Sequence, residues 1–293
     1  MKGEQVTHGI SDSGRGRFVA TLLPESEGLV NGRVYYGPML RAMSEGLAEA
    51  GLIMRPIQCL HEYQKHHFLQ TPPGFYAGTA ILGPLYVFRG FVEAVVSYFE
   101  GPKVMLDHHL EGLGMSSVRE DALGGMRTVT EHLVSLGHRS LAYVDLSDPQ
   151  ANPWKRGGVE AALSAAGLQP LGRGWAAGCR EKKGDCAAAL EWFLGLEPRP
   201  TAVVCCDDIR AALLIEAARE RGLDVPGDLS VTGYGESAAR TGRGEFLTTM
   251  VVEPARMGSV AAELLQRGGD QDPVAALVEP RLVVRQTTAA PRG

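Results

Sequence analysis

The sequence predicts an α/β protein built as two doubly wound parallel-sheet lobes. Three observations predict it. Short apolar runs of strand length alternate with helical stripes about ten times along the chain, the pattern of parallel sheets covered by helices on both faces. Connections are short throughout, and roughly 270 residues of such alternation are better divided between two sheets than forced into one. Glycines stand just past successive helical stripes, at Gly51, Gly137, Gly167 and Gly222, where a left-handed C-terminal cap is wanted.

In chain order, the polar, glycine- and serine-bearing residues 1–17 are expected to form a poorly ordered tail, too short for two packed helices. Phe18–Leu23 reads as the first buried strand, followed by a loop through Asn31-Gly32 and a helix near 37–50. Strands are expected at 53–60 and 79–82, a helix at 88–99 and a strand at 103–107. The stretch VREDALGGMRTVTEHLVSLGHRSLAYVD, residues 118–145, is the clearest unit. Asp121 is a good N-cap. Leu123, Met126, Val129, Leu133 and Leu136 make one helical stripe, with Gly137 as its cap. His138 and Arg139 bring positive character to the helix's negative end, and Leu141–Val144 is a strand apolar enough to be buried on both faces. Further helices are expected at 157–166, 186–194, 208–221 and 254–267, the last with Pro254 near its first turn. Strands are expected at 175–179, 201–206, 229–234, 248–252 and 282–285.

Composition bounds the function. The chain of 293 residues carries 29 Lys plus Arg against 34 Asp plus Glu, a net charge of -5, which argues against a dominant nucleic-acid surface in these residues. The five cysteines, Cys59, Cys179, Cys186, Cys205 and Cys206, are odd in number and lack paired CxxC spacing, so neither a disulfide framework nor a zinc site is indicated. The adjacent Cys205 and Cys206 fit buried free thiols. With no signal-type segment and no stretch of 18 apolar residues, neither export nor membrane insertion is expected. A cytoplasmic protein follows.

Three segments carry a family resemblance. The order V-x-x-D, two glycines, H-L-x-x-L-G-H-R and L-A-Y-V in residues 118–145 resembles the ligand-binding core of LacI/GalR-type regulators. Residues 201–236, TAVVCCDDIRAALLIEAARERGLDVPGDLSVTGYGE, resemble that family's strand, Asp-bearing turn, helix and G-L-x-V-P-x-D-L-S-V-x-G-Y segment. LTTMVVEPARMG and PRLVVRQT, within 247–287, look like its last crossover and final strand. The resemblance covers most of the region from Phe18 to Thr287. It implies a periplasmic-binding-protein-like fold, two lobes joined by three crossovers near 115–120, 236–249 and 278–282. The implied N-terminal lobe is 18–119 plus about 250–280, and the C-terminal lobe 120–249 plus about 281–288, with 289–293 as a tail.

What the resemblance implies for function is a small-molecule effector, a sugar or related metabolite, held where the strands end. Tyr35 and Tyr36 fall where the family stacks an aromatic on the ligand; the plainer role is to flank the first helix. Asp107, ending its strand, falls where a family carboxylate accepts ligand hydroxyls, or else caps a turn. Asp207 matches a polar pocket position, and Asp208 is expected to cap the following helix. The family places an arginine three residues before a glycine; here Lys155 has that spacing to Gly158, and Arg156 is one position off. Trp154 is placed to stack on a sugar face or pack at a lobe edge. The family's G-Y-D is Gly233-Tyr234-Gly235 here, so its hydroxyl-binding aspartate is absent, and Glu236 is the candidate to replace it. That departure points to a changed ligand or a pocket that is not a strict sugar site. The family further implies a homodimer in which lobe closure alters DNA affinity. Operator DNA would be bound only through a module outside this chain, and no membrane is involved.

A stand-alone ligand-binding protein is the alternative. Asp107-His108-His109 also resembles the DHH phosphoesterases, with His66, His67 and Glu111 as extra candidate metal ligands. Against that, the first strand reads LLPESEG without an aspartate, and the glycine-rich GGGH element is missing. Gly242-Arg243-Gly244 fits a connection better than a phosphate cradle. No catalytic residue, metal or cofactor is expected, and no enzyme.

Overall fold

In chain order the first elements are β1 (Phe18–Leu23), α1 (Arg33–Glu49), β2 (Ile53–Gln58), β3 (Tyr76–Leu82), α2 (Arg89–Tyr98), β4 (Lys103–Leu106), β5 (Ser116–Glu120), α3 (Ala122–Ser135) and β6 (Leu141–Leu146). Then follow α4 (Pro153–Ala165), β7 (Ala176–Cys179), α5 (Lys183–Leu194), β8 (Ala202–Cys205), α6 (Asp208–Glu220), β9 (Ser230–Tyr234), β10 (Thr248–Val251), α7 (Pro254–Gln266), β11 (Ala275–Val278) and β12 (Arg281–Val283). This is a computed structural model; it describes residues 16–24, 33–59, 68–83, 88–147, 153–170, 176–235, 246–267 and 271–292. The expected N-terminal tail lies almost wholly outside the described residues. So do Glu236, His66, His67 and the Gly242-Arg243-Gly244 run.

The strands form two sheets, ordered β11-β5-β4-β3-β1-β2 and β12-β10-β9-β8-β6-β7. In the first, β1 pairs in parallel with β2 on one side and β3 on the other, so sheet growth reverses there. In the second, β6 does the same with β7 and β8. β12 alone among the described pairings of that sheet runs antiparallel, against β10. The chain divides into two compact units, 1–119 with 254–278 and 120–253 with 279–293, and passes between them three times. The second passage follows β10 rather than preceding it, because β10 pairs with β9 in the second sheet.

Both faces of the first sheet are covered. Met39, Met43 and Leu47 of α1, with Met257, Ala261 and Leu265 of α7, bury one face. Val92, Val95 and Phe99 with Phe68 and Phe75 bury the other. In the second unit Leu190 and Phe193 of α5 and Leu214 and Ile215 of α6 cover Val144, Val203 and Val231. Fully burying one such aliphatic or aromatic side chain contributes about 1.5–3 kcal/mol. All five cysteines are buried and unbridged.

Several expectations need correction. α1 starts at Arg33 and carries Pro38 inside it; Gly37-Pro38 looks like a breaker, but one lost hydrogen bond near the start is tolerated when a buried face drives the helix. α4 starts at Pro153, whose missing N–H suits a first position. These shifts put Tyr35, Tyr36, Trp154, Lys155 and Arg156 on first turns rather than in loops. β5 (SSVRE) and β11 (AALV) were not expected: β5 is mostly polar, and β11 is only four residues long and largely unburied. The stripe of α3 is rotated: Leu123 is 41% exposed, and Ala122 and Gly125 join Met126, Val129 and Leu133 on the buried side. Asp121 does cap the helix, accepting from Gly124 N at 2.9 Å, and Gly137 has the expected positive φ, 102°.

His138 is not a surface charge at that helix end; Arg139 takes that role, donating to Val134 O at 3.0 Å. His138 is buried. Its Nε2 lies 2.9 Å from Ala289 O, which can only accept, so Nε2 carries the proton. Nδ1 then accepts from the Thr201 hydroxyl at 2.8 Å. The ring thus pins the C-terminal segment to the starts of two strands. Burial pushes the pKa of His138 down, as it does for His132 and for His108, where His109 and Arg119 add to the effect. Stability linked to these neutral rings is therefore fully present above the ordinary histidine pKa of about 6.5 and is lost as pH falls through that value toward the depressed folded-state ones. Urea midpoints should be flat above about pH 7.5 and decline below about 6.5; a midpoint unchanged down to pH 5.5 would contradict this reading.

Candidate functional site

In the first unit the helix start at Arg33 brings two tyrosines to the end of β4. Tyr35 donates to Asp107 Oδ1 at 2.6 Å and Tyr36 to Oδ2 at 2.8 Å. The two rings meet edge to face, centroids 5.1 Å apart at 82°, a geometry that aromatic quadrupoles favour. Asp107 itself sits at φ 65°, a left-handed conformation that Asp and Asn tolerate better than other side chains. Its backbone N–H is held by Val118 O at 2.7 Å. The result is a fixed, half-buried carboxylate flanked by two hydroxyls and two ring faces. Each carboxylate oxygen has two acceptor sites, so a tyrosine hydroxyl does not by itself fill either one.

In the second unit Lys155 and Arg156, side by side on the first turn of α4, go different ways. Lys155 Nζ donates to Cys206 O at 2.9 Å, lies 4.1 Å from the Tyr234 ring centroid and stands 3.7 Å from Glu120 Oε1. Its head thus lies over the carboxyl ends of β8 and β9, held by a carbonyl, a cation–π contact and a carboxylate. Arg156 pairs with Glu160 one turn on, at 3.1 Å, on an exposed face. Trp154 is half-buried beside them.

The Asp207-Asp208 pair is assigned opposite roles from those expected for the cap. Asp207 is the N-cap of α6, accepting from Arg210 N at 2.8 Å. Its other oxygen takes the Arg210 guanidinium, whose Nε donates to Cys179 O at 2.7 Å. Asp208 is instead fully buried and accepts from Thr249 Oγ1 at 2.5 Å. Gly235 has φ 109° and faces open space.

Sequence reasoning missed Asp145, the buried acid near the end of β6, and Arg210, the partner of Asp207. Both had a signal. Asp145 follows Tyr143 by two residues, on the same strand face, and Arg210 follows Asp207 at helical spacing. Asp145 Oδ1 accepts from Leu146 N at 2.8 Å and Tyr143 OH at 3.2 Å, and burial raises its pKa.

Taken unit by unit, the first offers an acid with two tyrosines and the second an ammonium, a ring face and acids, each set suited to contacting a polyhydroxylated or heterocyclic molecule. Of the residues that the phosphoesterase alternative would use, Asp107 is engaged by both tyrosines and His109 Nδ1 lies 2.9 Å from Ser117 Oγ. Among the described residues no cluster of three or more His, Cys, Asp or Glu is arranged to hold a metal ion, and no helix is long and apolar enough to cross a membrane.

Residues 130–288, more than half of the chain, match the periplasmic binding protein-like domain family. The chain is 31% identical over 191 residues to the HTH-type transcriptional repressor PurR of Mannheimia succiniciproducens, covering 64% of this chain and 57% of that protein. It is 31% identical over 194 residues to the arabinose metabolism transcriptional repressor of Geobacillus stearothermophilus, covering 64% and 53%. The chain thus spans little more than half the length of these relatives. A LacI family transcriptional regulator from Mycobacterium smegmatis shares the fold, with a TM-score of 0.73 at 24% identity, covering 94% of this chain and all of that one.

Proposed function

The chain belongs to the periplasmic binding protein-like domain family, and on that premise we propose that it is the core of a LacI/GalR-type regulator, sensing a small-molecule effector for a cytoplasmic, dimeric transcription regulator. The observation that carries the reading is the Asp107 carboxylate fixed by Tyr35 and Tyr36 at a strand's carboxyl end, where open α/β sheets bind ligands. In the second unit Lys155, Trp154, Asp207, Arg156 and Glu236 are the further candidate contacts. The effector is a sugar or related metabolite, and no chemistry is done on it. Effector binding biases the complete protein between states of different DNA affinity. Operator DNA is gripped by a separate DNA-binding module, as the names of the relatives suggest.

A stand-alone binding protein is the competing reading. Mobility-shift titrations of the complete gene product on its own upstream DNA separate the two. An effector that binds the chain should change DNA affinity at least about fivefold. Absence of DNA binding, or DNA binding indifferent to that compound, would favour the stand-alone protein.

A further inference from the structure

Asp145 has no place in the expected pocket, yet its surroundings are those of a ligand contact. It stands near the carboxyl end of β6, where the second sheet reverses its growth: β7 lies on one side of β6 and β8 on the other. Doubly wound sheets take their ligands at such a point. The residue is 3% exposed. Leu146 N and the Tyr143 hydroxyl both serve Oδ1, while Oδ2 is buried with no hydrogen-bond partner among the described residues.

A buried acceptor left unmet costs about 1–3 kcal/mol, and most such groups in folded proteins are met. The neighbouring cations are engaged with other groups: Arg156, whose charge acts on Asp145, pairs with Glu160. Lys155 Nζ is engaged by Cys206 O, Glu120 and the Tyr234 ring. The other acids at these strand ends are also committed or missing. Asp207 gives one oxygen to its own helix and the other to Arg210, and Gly235 has no side chain to offer.

We propose that Asp145 is a specificity-determining residue of the effector site, its Oδ2 accepting a hydrogen bond from a hydroxyl or ammonium group of the effector. This rests on the effector-binding reading above and narrows it. A carboxylate acceptor at this position disfavours a phosphate or carboxylate there and selects a neutral polyol or an amine-bearing one. It places an acid near the end of β6 in a unit where the end of β9 carries Gly235.

The test is calorimetric titration of wild type and Asp145→Asn with D-ribose, L-arabinose, D-galactose, D-glucosamine and hypoxanthine, with thermal melts alongside. D145N keeps an oxygen for Leu146 and Tyr143 but removes the buried charge. It should melt no lower than wild type and bind the wild type's ligand about tenfold more weakly. A residue that only supports the fold would show the reverse, a lower melting point with affinity kept. The second arm uses a derivative of that ligand lacking one donor: at one position the loss is about tenfold against wild type and absent against D145N. Equal binding by both proteins, or equal losses for every derivative with both, overturns the proposal while leaving the effector reading intact. If wild type binds none of the five compounds, the effector reading fails first, and this inference with it. Should D145N not fold, Asp145→Ser with the same derivative series applies the same criteria.

Discussion

Asparagine at position 107 should leave the chain folded and weaken effector binding by about 2 kcal/mol, roughly thirtyfold. The fold should survive because asparagine accepts the φ of 65° that Asp107 adopts. The Val118 contact is made by the backbone and does not depend on the side chain. Binding should suffer for two reasons. The charge-assisted acceptor for ligand hydroxyls is gone, and an amide presents a donor to one of the tyrosine hydroxyls that the carboxylate now holds at 2.6 and 2.8 Å. Alanine is the poorer test, since at this φ it adds about 1–2 kcal/mol of strain. Circular dichroism checks the fold and calorimetry the affinity. Unchanged affinity in a folded D107N would remove Asp107 from the site.

Alanine at Gly258 should destabilise the first unit by about 3 kcal/mol or more. A Cβ there would overlap Met39 O and stand 2.9 Å from Met39 C and 3.0 Å from Met43 N. These are backbone atoms of α1, so no side-chain rotation relieves the clash; α1 has to move away from α7. Because α1 carries Tyr35 and Tyr36, the same variant should also loosen their hold on Asp107 and weaken effector binding. Gly90, in the first turn of α2 and not followed by proline, is the control. No side chain or remote backbone atom lies within 4 Å of a Cβ built on it, and alanine there should leave stability unchanged or raise it by up to about 1 kcal/mol through helix propensity. Denaturant unfolding of both variants decides it; a Gly258→Ala protein with the wild-type midpoint would mean that the α1–α7 packing is looser than described.

The fold was legible because its strongest determinants are local. Buried parallel strands read as unbroken apolar runs, as β8 does with AVVC, and helices announce themselves through caps such as Asp121 and Gly137. What was not legible depended on partners distant in sequence. β5, with its polar SSVRE, becomes a strand by pairing with β4. The start of α1 ran ahead of its local breakers because α7, more than 200 residues later, buries its face. The site followed the same division. Tyr35, Tyr36, Asp107 and Lys155 were singled out through the family resemblance, and within the first unit the structure brings the first three together. The separation of Lys155 from Arg156 was hidden, since adjacent helical residues point about 100° apart and only the packing decides which faces inward. Asp145 was hidden because a single acid near the end of an apolar strand reads as a turn cap until its second oxygen is seen to lack a donor among the described residues.

The claim that this chain binds a small effector is tested most directly by titrating it in a calorimeter with the pentose, hexose, aminosugar and purine compounds named above. One of them should give a saturable isotherm with one site per chain and a Kd below about 1 mM, and D107N should weaken that isotherm. Heats of dilution alone for every compound at millimolar concentration, from protein that melts cooperatively, would contradict it.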